Sequence, residues 1–154
     1  MPITEPLRKT LAAAGAVLED AFDPWWIVTG AAAAIHGAAL IHVSDVDVML
    51  SVRDASRLFS RLGVIQAPPS NHPRFRSEIF GQWDENPLIV EFMANFKLRD
   101  LDGAWRPMVP TTRMCVEVAG VKVYIPELAD LRGMFERFGR EKDLERINLL
   151  DHFR

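Results

Sequence analysis

The sequence predicts an α+β domain in which a mixed β-sheet is flanked by helices. Three observations carry this prediction. Helical spacing dominates both ends of the chain, two hairpin signals lie between them, and residues 44–51 alternate strictly with a period of two. Segments of both periods in one chain of 154 residues describe a single layered domain, 1–154, with the C-terminal helices (126–153) packed on it.

The elements follow in order. Residues 5–21 place Leu7, Leu11, Ala14, Leu18 and Phe22 near one stripe of a helix, which Pro24 ends. Residues 25–28 read as a short buried strand, and Thr29-Gly30 as a sharp turn. Residues 31–36 are good helix formers, with Gly37 at the stop position. In 44–51, Asp45, Asp47 and Met49 share one strand face and Val46, Val48 and Leu50 the other. Residues 53–62 form an amphipathic helix closing at Gly63, and Pro68-Pro69 opens a polar loop. Residues 75–83 and 88–92 read as two strands joined around Asp84-Glu85-Asn86-Pro87. A second hairpin, 114–118 with 122–125, turns at Ala119-Gly120. Helices are expected from Pro126 to about Phe138 and over 141–153.

Hydrophobic residues at 49% and charged residues at 25% are ordinary for a globular protein. A net charge of -3 and a pI near 5.8 exclude nucleic-acid binding through bulk charge. One cysteine, Cys115, excludes a disulfide framework and a zinc cluster. The N-terminus lacks a signal-peptide core and no apolar run spans a bilayer, so a cytoplasmic protein without a membrane role is expected.

The chemistry-bearing residues are carboxylates. Residues two apart on a strand project to the same face, about 6.5 Å apart, so Asp45 and Asp47 can converge on a cation. Asp-Val-Asp-Val is equally the pattern of a strand with one wet face. Glu91 says more, because it interrupts the apolar run Leu88-Ile89-Val90-Glu91-Phe92-Met93. A buried carboxylate costs much unless paired or bound to a metal. Its other reading is an ion pair with Arg74 or Arg76 on the neighbouring strand, where those arginines could also meet phosphate. Thr29-Gly30-Ala31 supplies a strand-to-helix turn, where glycine permits close approach and a helix start offers free N–H groups to phosphate. Hard, negative, rigidly held oxygens suit a pair of magnesium ions about 3.5–4 Å apart.

Set in order, these parts resemble the polymerase-beta-type nucleotidyltransferase superfamily, and most of all its small stand-alone bacterial members, including the abortive-infection-type toxin group. IVTGAAAAIHGAALIHVSDVDVML (27–50) is similar to the family's strand, glycine turn, helix and Asp-x-Asp strand. LIVEFM (88–93) resembles its third-carboxylate strand, and YIPELADLRGMFERFGREKDLERINLL (124–150) its closing helices. The resemblance implies the nucleotidyltransferase fold and transfer of a nucleoside monophosphate from a nucleoside triphosphate to an acceptor hydroxyl on RNA, a protein or a small molecule. It implies Asp45, Asp47 and Glu91 as catalytic metal ligands for two Mg2+ ions, with Mn2+ as the substitute. Thr29, Gly30, Ala31, Arg132 and Lys142 are implied on the nucleotide. An antitoxin partner follows from the toxin likeness. Two departures stand out: Ala31 replaces the usual Ser or Gly, and Glu91 the commoner Asp. A catalytically degenerate binding module or toxin component is therefore the alternative.

The remaining candidates have plainer readings. His36 and His42 lack a second histidine at ligand spacing. Trp25 and Trp26 read as core residues. Cys115 reads as a small core residue, since no His or Asn motif supports it as a nucleophile.

Overall fold

A computed structural model describes residues 3–154. Helix α1 (Glu5–Val17) starts where the Thr4 side chain accepts from the Leu7 N–H, with Pro6 in its first turn. It ends earlier than the apolar stripe predicts. Beyond Leu18 the chain folds into a turn whose Phe22 and Asp23 N–H groups both donate to the buried Asp54 carboxylate. A long-range anchor thus overrides local spacing.

Strand β1 (Trp26–Val28) runs directly into helix α2 (Thr29–Ile35), and β2 (Asp45–Leu50) into helix α3 (Val52–Leu62). Ser51 caps α3 by accepting from the Asp54 N–H, and Gly63 closes it in the left-handed region. Strands β4 (Ile79–Trp83) and β5 (Ile89–Ala94) form the expected hairpin. The principal sheet has the order β1-β2-β5-β4; only the central pair, β2 and β5, is parallel. One face of it, with Val48, Phe92 and Trp83, is buried, and Phe59 of α3 packs on Phe92. The other face carries Asp45, Asp47 and Met49 beside Glu91 and Met93.

The expected single strand over 75–83 is broken in two. Its first part, β3 (Phe75–Arg76), pairs with β6 (Lys97–Arg99), which pairs with β7 (Trp105–Pro107), in a separate three-stranded sheet. Phe75 packs there against Phe96 and Phe138. A continuous β pattern cannot show that the chain changes partners halfway. Arg74 and Arg76 are thereby taken away from Glu91. Arg74 donates to the Phe138 and Arg137 carbonyls, and Arg76 lies over the Trp105 ring, 4.1 Å from its centre.

Strands β8 (Met114–Val118) and β9 (Val121–Ile125) form the second hairpin, whose turn residues Ala119 and Gly120 both have positive φ, as a tight two-residue turn requires. Cys115, expected in the core, is exposed, because a two-stranded ribbon leaves part of itself uncovered. Helices α4 (Leu128–Phe138) and α5 (Glu141–His152) pack on each other and on α2. Among the described residues, no helix is long and apolar enough to cross a membrane.

Candidate functional site

Parallel pairing of β2 with β5 sets Asp47 directly opposite Glu91, with Asp45 one same-face step before it. Asp45, Asp47 and Glu91 each offer a carboxylate oxygen, and these oxygens lie within 4.8 Å of one another. All three residues are half-buried. The three carboxylates singled out in the sequence are therefore brought together.

The junction of β1 and α2 orients the middle one. Val28 stands opposite Asp47, and the next residue, Thr29, is swung to φ 56°. A β-branched residue there is strained. The turn lets the Thr29 hydroxyl donate to Asp47 Oδ2 at 2.5 Å. Gln82 on β4 plays the matching part for Glu91, its amide donating to Oε2 at 3.2 Å. Gln82 was not legible as a site residue, since only strand register sets it opposite Glu91.

Crowding three acids shifts their protonation. Burial raises Asp47 to about 6, with Asp45 pushing the same way; the Thr29 hydrogen bond, Arg146 and Lys142 oppose it. Burial also raises Glu91 to about 7, followed by its hydrogen bond with Asp45 and the charge of Asp47, against Gln82. A hard divalent cation fits this donor set, because it would neutralise charge that the carboxylates otherwise hold at a cost.

The positive side of the site comes from α5. Lys142 and Arg146, one turn apart, both act electrostatically on Asp47. Arg146 lies over Gly30: a Cβ there would stand 3.1 Å from Arg146 Nη2. A side chain at position 30 would make the guanidinium give way by a few tenths of an ångström. Arg146 extends from a fixed platform, with Phe135 below it at 5.8 Å and Asp143 at 3.8 Å. Asp143 is fully buried, bound by the Arg140 guanidinium at 2.6 and 3.1 Å, and accepts from the Arg140 N–H at the start of α5. Its neighbour Lys142 is exposed and acts on Asp47 through its charge alone.

Other expected site residues are placed differently. Arg132 is bound by Asp151 at 3.0 Å and by Glu136, so the structure does not bring it to the carboxylates. Arg146, not singled out in the sequence, is the arginine whose charge acts on Asp47; its i, i+4 spacing from Lys142 was the available signal. Ala31 is fully buried and the Thr29 hydroxyl is engaged by Asp47, so this turn offers no free side-chain donor. His36 Nε2 lies 2.8 Å from the Pro126 carbonyl, His42 is exposed on a loop, and Trp25 is core.

No family model and no curated protein sequence matches the chain. Solved structures do. The Thermotoga maritima protein TM1012, provisionally described as a nucleotidyltransferase, superposes with a TM-score of 0.71 at 22% identity, over 94% of this chain and 92% of that one. The lincosamide antibiotic adenylyltransferase LnuA, solved with lincomycin, gives 0.62 at 11% identity over the whole of both chains. The antibiotic-resistance factor ANT(2'')-Ia gives 0.57 at 14% identity, over 92% of this chain and 80% of that one.

Proposed function

We propose, from the premise that this chain has the nucleotidyltransferase fold, that it moves a nucleoside monophosphate from a nucleoside triphosphate to an acceptor hydroxyl. The observation carrying this reading is the convergence of Asp45, Asp47 and Glu91 beside two α5 cations. Asp45, Asp47 and Glu91 would hold divalent metal, magnesium first and manganese as its substitute. Bound there, such ions supply charge neutralisation at the transferring phosphoryl group and at the attacking oxygen.

The residues of the chain do the rest. Arg146 and Lys142 neutralise and orient the triphosphate beside the start of α2, where the Arg146 guanidinium lies over Gly30. The acceptor oxygen forms a bond to the α-phosphorus as the bond to pyrophosphate breaks, and the acceptor proton passes to Glu91. Kept ionised by metal bound beside it, Glu91 would be able to accept that proton. Thr29 and Gln82 hold the two opposed carboxylates in position through all of this.

A second reading is a fold that binds metal and nucleotide without turnover, as a binding module or toxin component. The buried Ala31 and the engaged Thr29 hydroxyl favour it, since neither can hold a phosphate oxygen. The experiment is magnesium-dependent transfer of α-phosphate label from each nucleoside triphosphate to RNA, protein and small-molecule acceptors, beside the Asp45→Asn/Asp47→Asn double variant. Transfer by wild type alone supports catalysis. Metal-coupled nucleotide binding by calorimetry without transfer supports the second reading.

A further inference from the structure

The carboxylate face of the sheet does not stay polar. One same-face step beyond the Asp47–Glu91 pair the register brings Met49 opposite Met93, with Trp26 on the far side of Met49. That step is about 6.5–7 Å. These three residues, Met49 nearly fully buried among them, help line a groove of about 280 Å³ together with Pro107 at the end of β7 and Met108 and Val109 beyond it. Trp26 is tied to the segment that follows Val109, its indole N–H donating to the Thr112 carbonyl at 2.9 Å. No charged residue among those described lines the groove, and its polar side chains are Ser51 and Asn95.

We infer that this Met49–Met93–Trp26 trough holds the uncharged alkyl or aryl body of a small hydroxyl-bearing acceptor, delivering its hydroxyl to Glu91. The inference rests on the nucleotidyl-transfer reading and deepens it. The trough continues the same two strands that carry the acids, its Met49–Met93 pair lying one same-face step beyond the Asp47–Glu91 pair. Methionine is deformable and makes favourable sulfur–aromatic contacts, which suits an apolar or aromatic body. A polycation would find no carboxylate in the trough, and a nucleic acid no cation.

The test uses two sugars with the same β-glucoside scaffold and different aglycones, 2-naphthyl β-D-glucoside and methyl β-D-glucoside. Methyl-13C-methionine spectra of the full chain are followed during titration, with signals identified by single substitution. The naphthyl compound should shift Met49 and Met93 while leaving Met114 and Met134 in place, and the methyl compound should shift none of them. Met93→Gln should weaken naphthyl glucoside binding about fivefold, the loss of part of one apolar contact, and Met93→Leu, which keeps an apolar side chain of similar size, should largely keep it. Equal shifts from both sugars, shifts only at Met114 or Met134, no shift, or equally strong shifts at Met49 and Met93 from the polycation tobramycin would overturn the assignment. The Asp45→Asn/Asp47→Asn variant should keep the naphthyl shifts. If wild type shows those shifts yet labels no acceptor, the transfer reading falls and the trough stands as a ligand site.

Discussion

The guanidinium of Arg146 lies over Gly30, with its Nη2 only 3.1 Å from where a side chain at that position would begin. Helix α5 thereby reaches across to the first turn of α2, and Arg146 makes its close approach where a side chain is missing. Gly30→Ala should displace Arg146 without unfolding the chain, because the clash is with the end of a flexible side chain. Nucleotide affinity should fall about tenfold, the value of one charge-assisted contact. Calorimetric titration with a non-hydrolysable nucleotide and magnesium checks it; an unchanged affinity would remove Arg146 from the nucleotide site.

The two candidate cations of the closing helices should separate cleanly. Arg132→Ala removes a surface guanidinium bound by Asp151 and Glu136, and the exposed pairs it breaks are worth about 1 kcal/mol or less. Nucleotide affinity should not change. Arg146→Ala should weaken it about tenfold or more. The same calorimetric assay, run on both variants, reads the difference.

Removing one acid should make the metal-free protein more stable and the metal site useless. Glu91→Gln keeps shape and the Gln82 neighbour while relieving repulsion from Asp45 and Asp47. Thermal unfolding at pH 8 without metal should occur at a higher temperature than for wild type, and added magnesium should no longer raise it. Such a trade of stability for function is expected where like charges are held together. A lower unfolding temperature in the metal-free variant would show that Glu91 is stabilised there by contacts other than those described.

The pH dependence has a definite sign. Asp47 and Glu91 titrate near 6 and 7 in the folded chain, above their ordinary values of 3.8 and 4.5. The folded state therefore binds protons more tightly than the unfolded one. The stability these groups contribute is full below about pH 4 and is lost as pH rises through 6 and 7. Metal competes with those protons, so the magnesium-induced rise in unfolding temperature should grow between pH 5 and pH 8. Unfolding scans across that range, with and without magnesium, test this; a metal effect that is flat in pH would contradict it.

Asp143 should prove structural, in contrast to Lys142 beside it. Asp143→Ala leaves Arg140 without its carboxylate and the start of α5 without its cap, a loss of about 2 kcal/mol. Chemical denaturation reads that loss. Lys142→Ala should leave the denaturation midpoint within about 0.5 kcal/mol of wild type and weaken nucleotide binding.

Much of the molecule is written locally. The alternation of Asp45, Asp47 and Met49, the glycine stop at Gly63, and the Ala119-Gly120 turn are short-range patterns, and the elements appear where those patterns lie. Glu91 could be singled out because an acid in an apolar run is costly wherever the run ends up. What the sequence could not contain was partnership. Whether residues 75–83 form one strand or two depends on which sheet edges are free, and the break after Arg76 put Arg76 in another sheet and Arg74 on the Phe138 and Arg137 carbonyls. The same holds for Gln82 against Glu91, for Arg146 over Gly30, and for the Met49–Met93 trough. Each is a contact between segments distant in the chain, chosen by packing and register. Those are properties of the folded whole, whereas periodicity and turn chemistry belong to a few neighbouring residues.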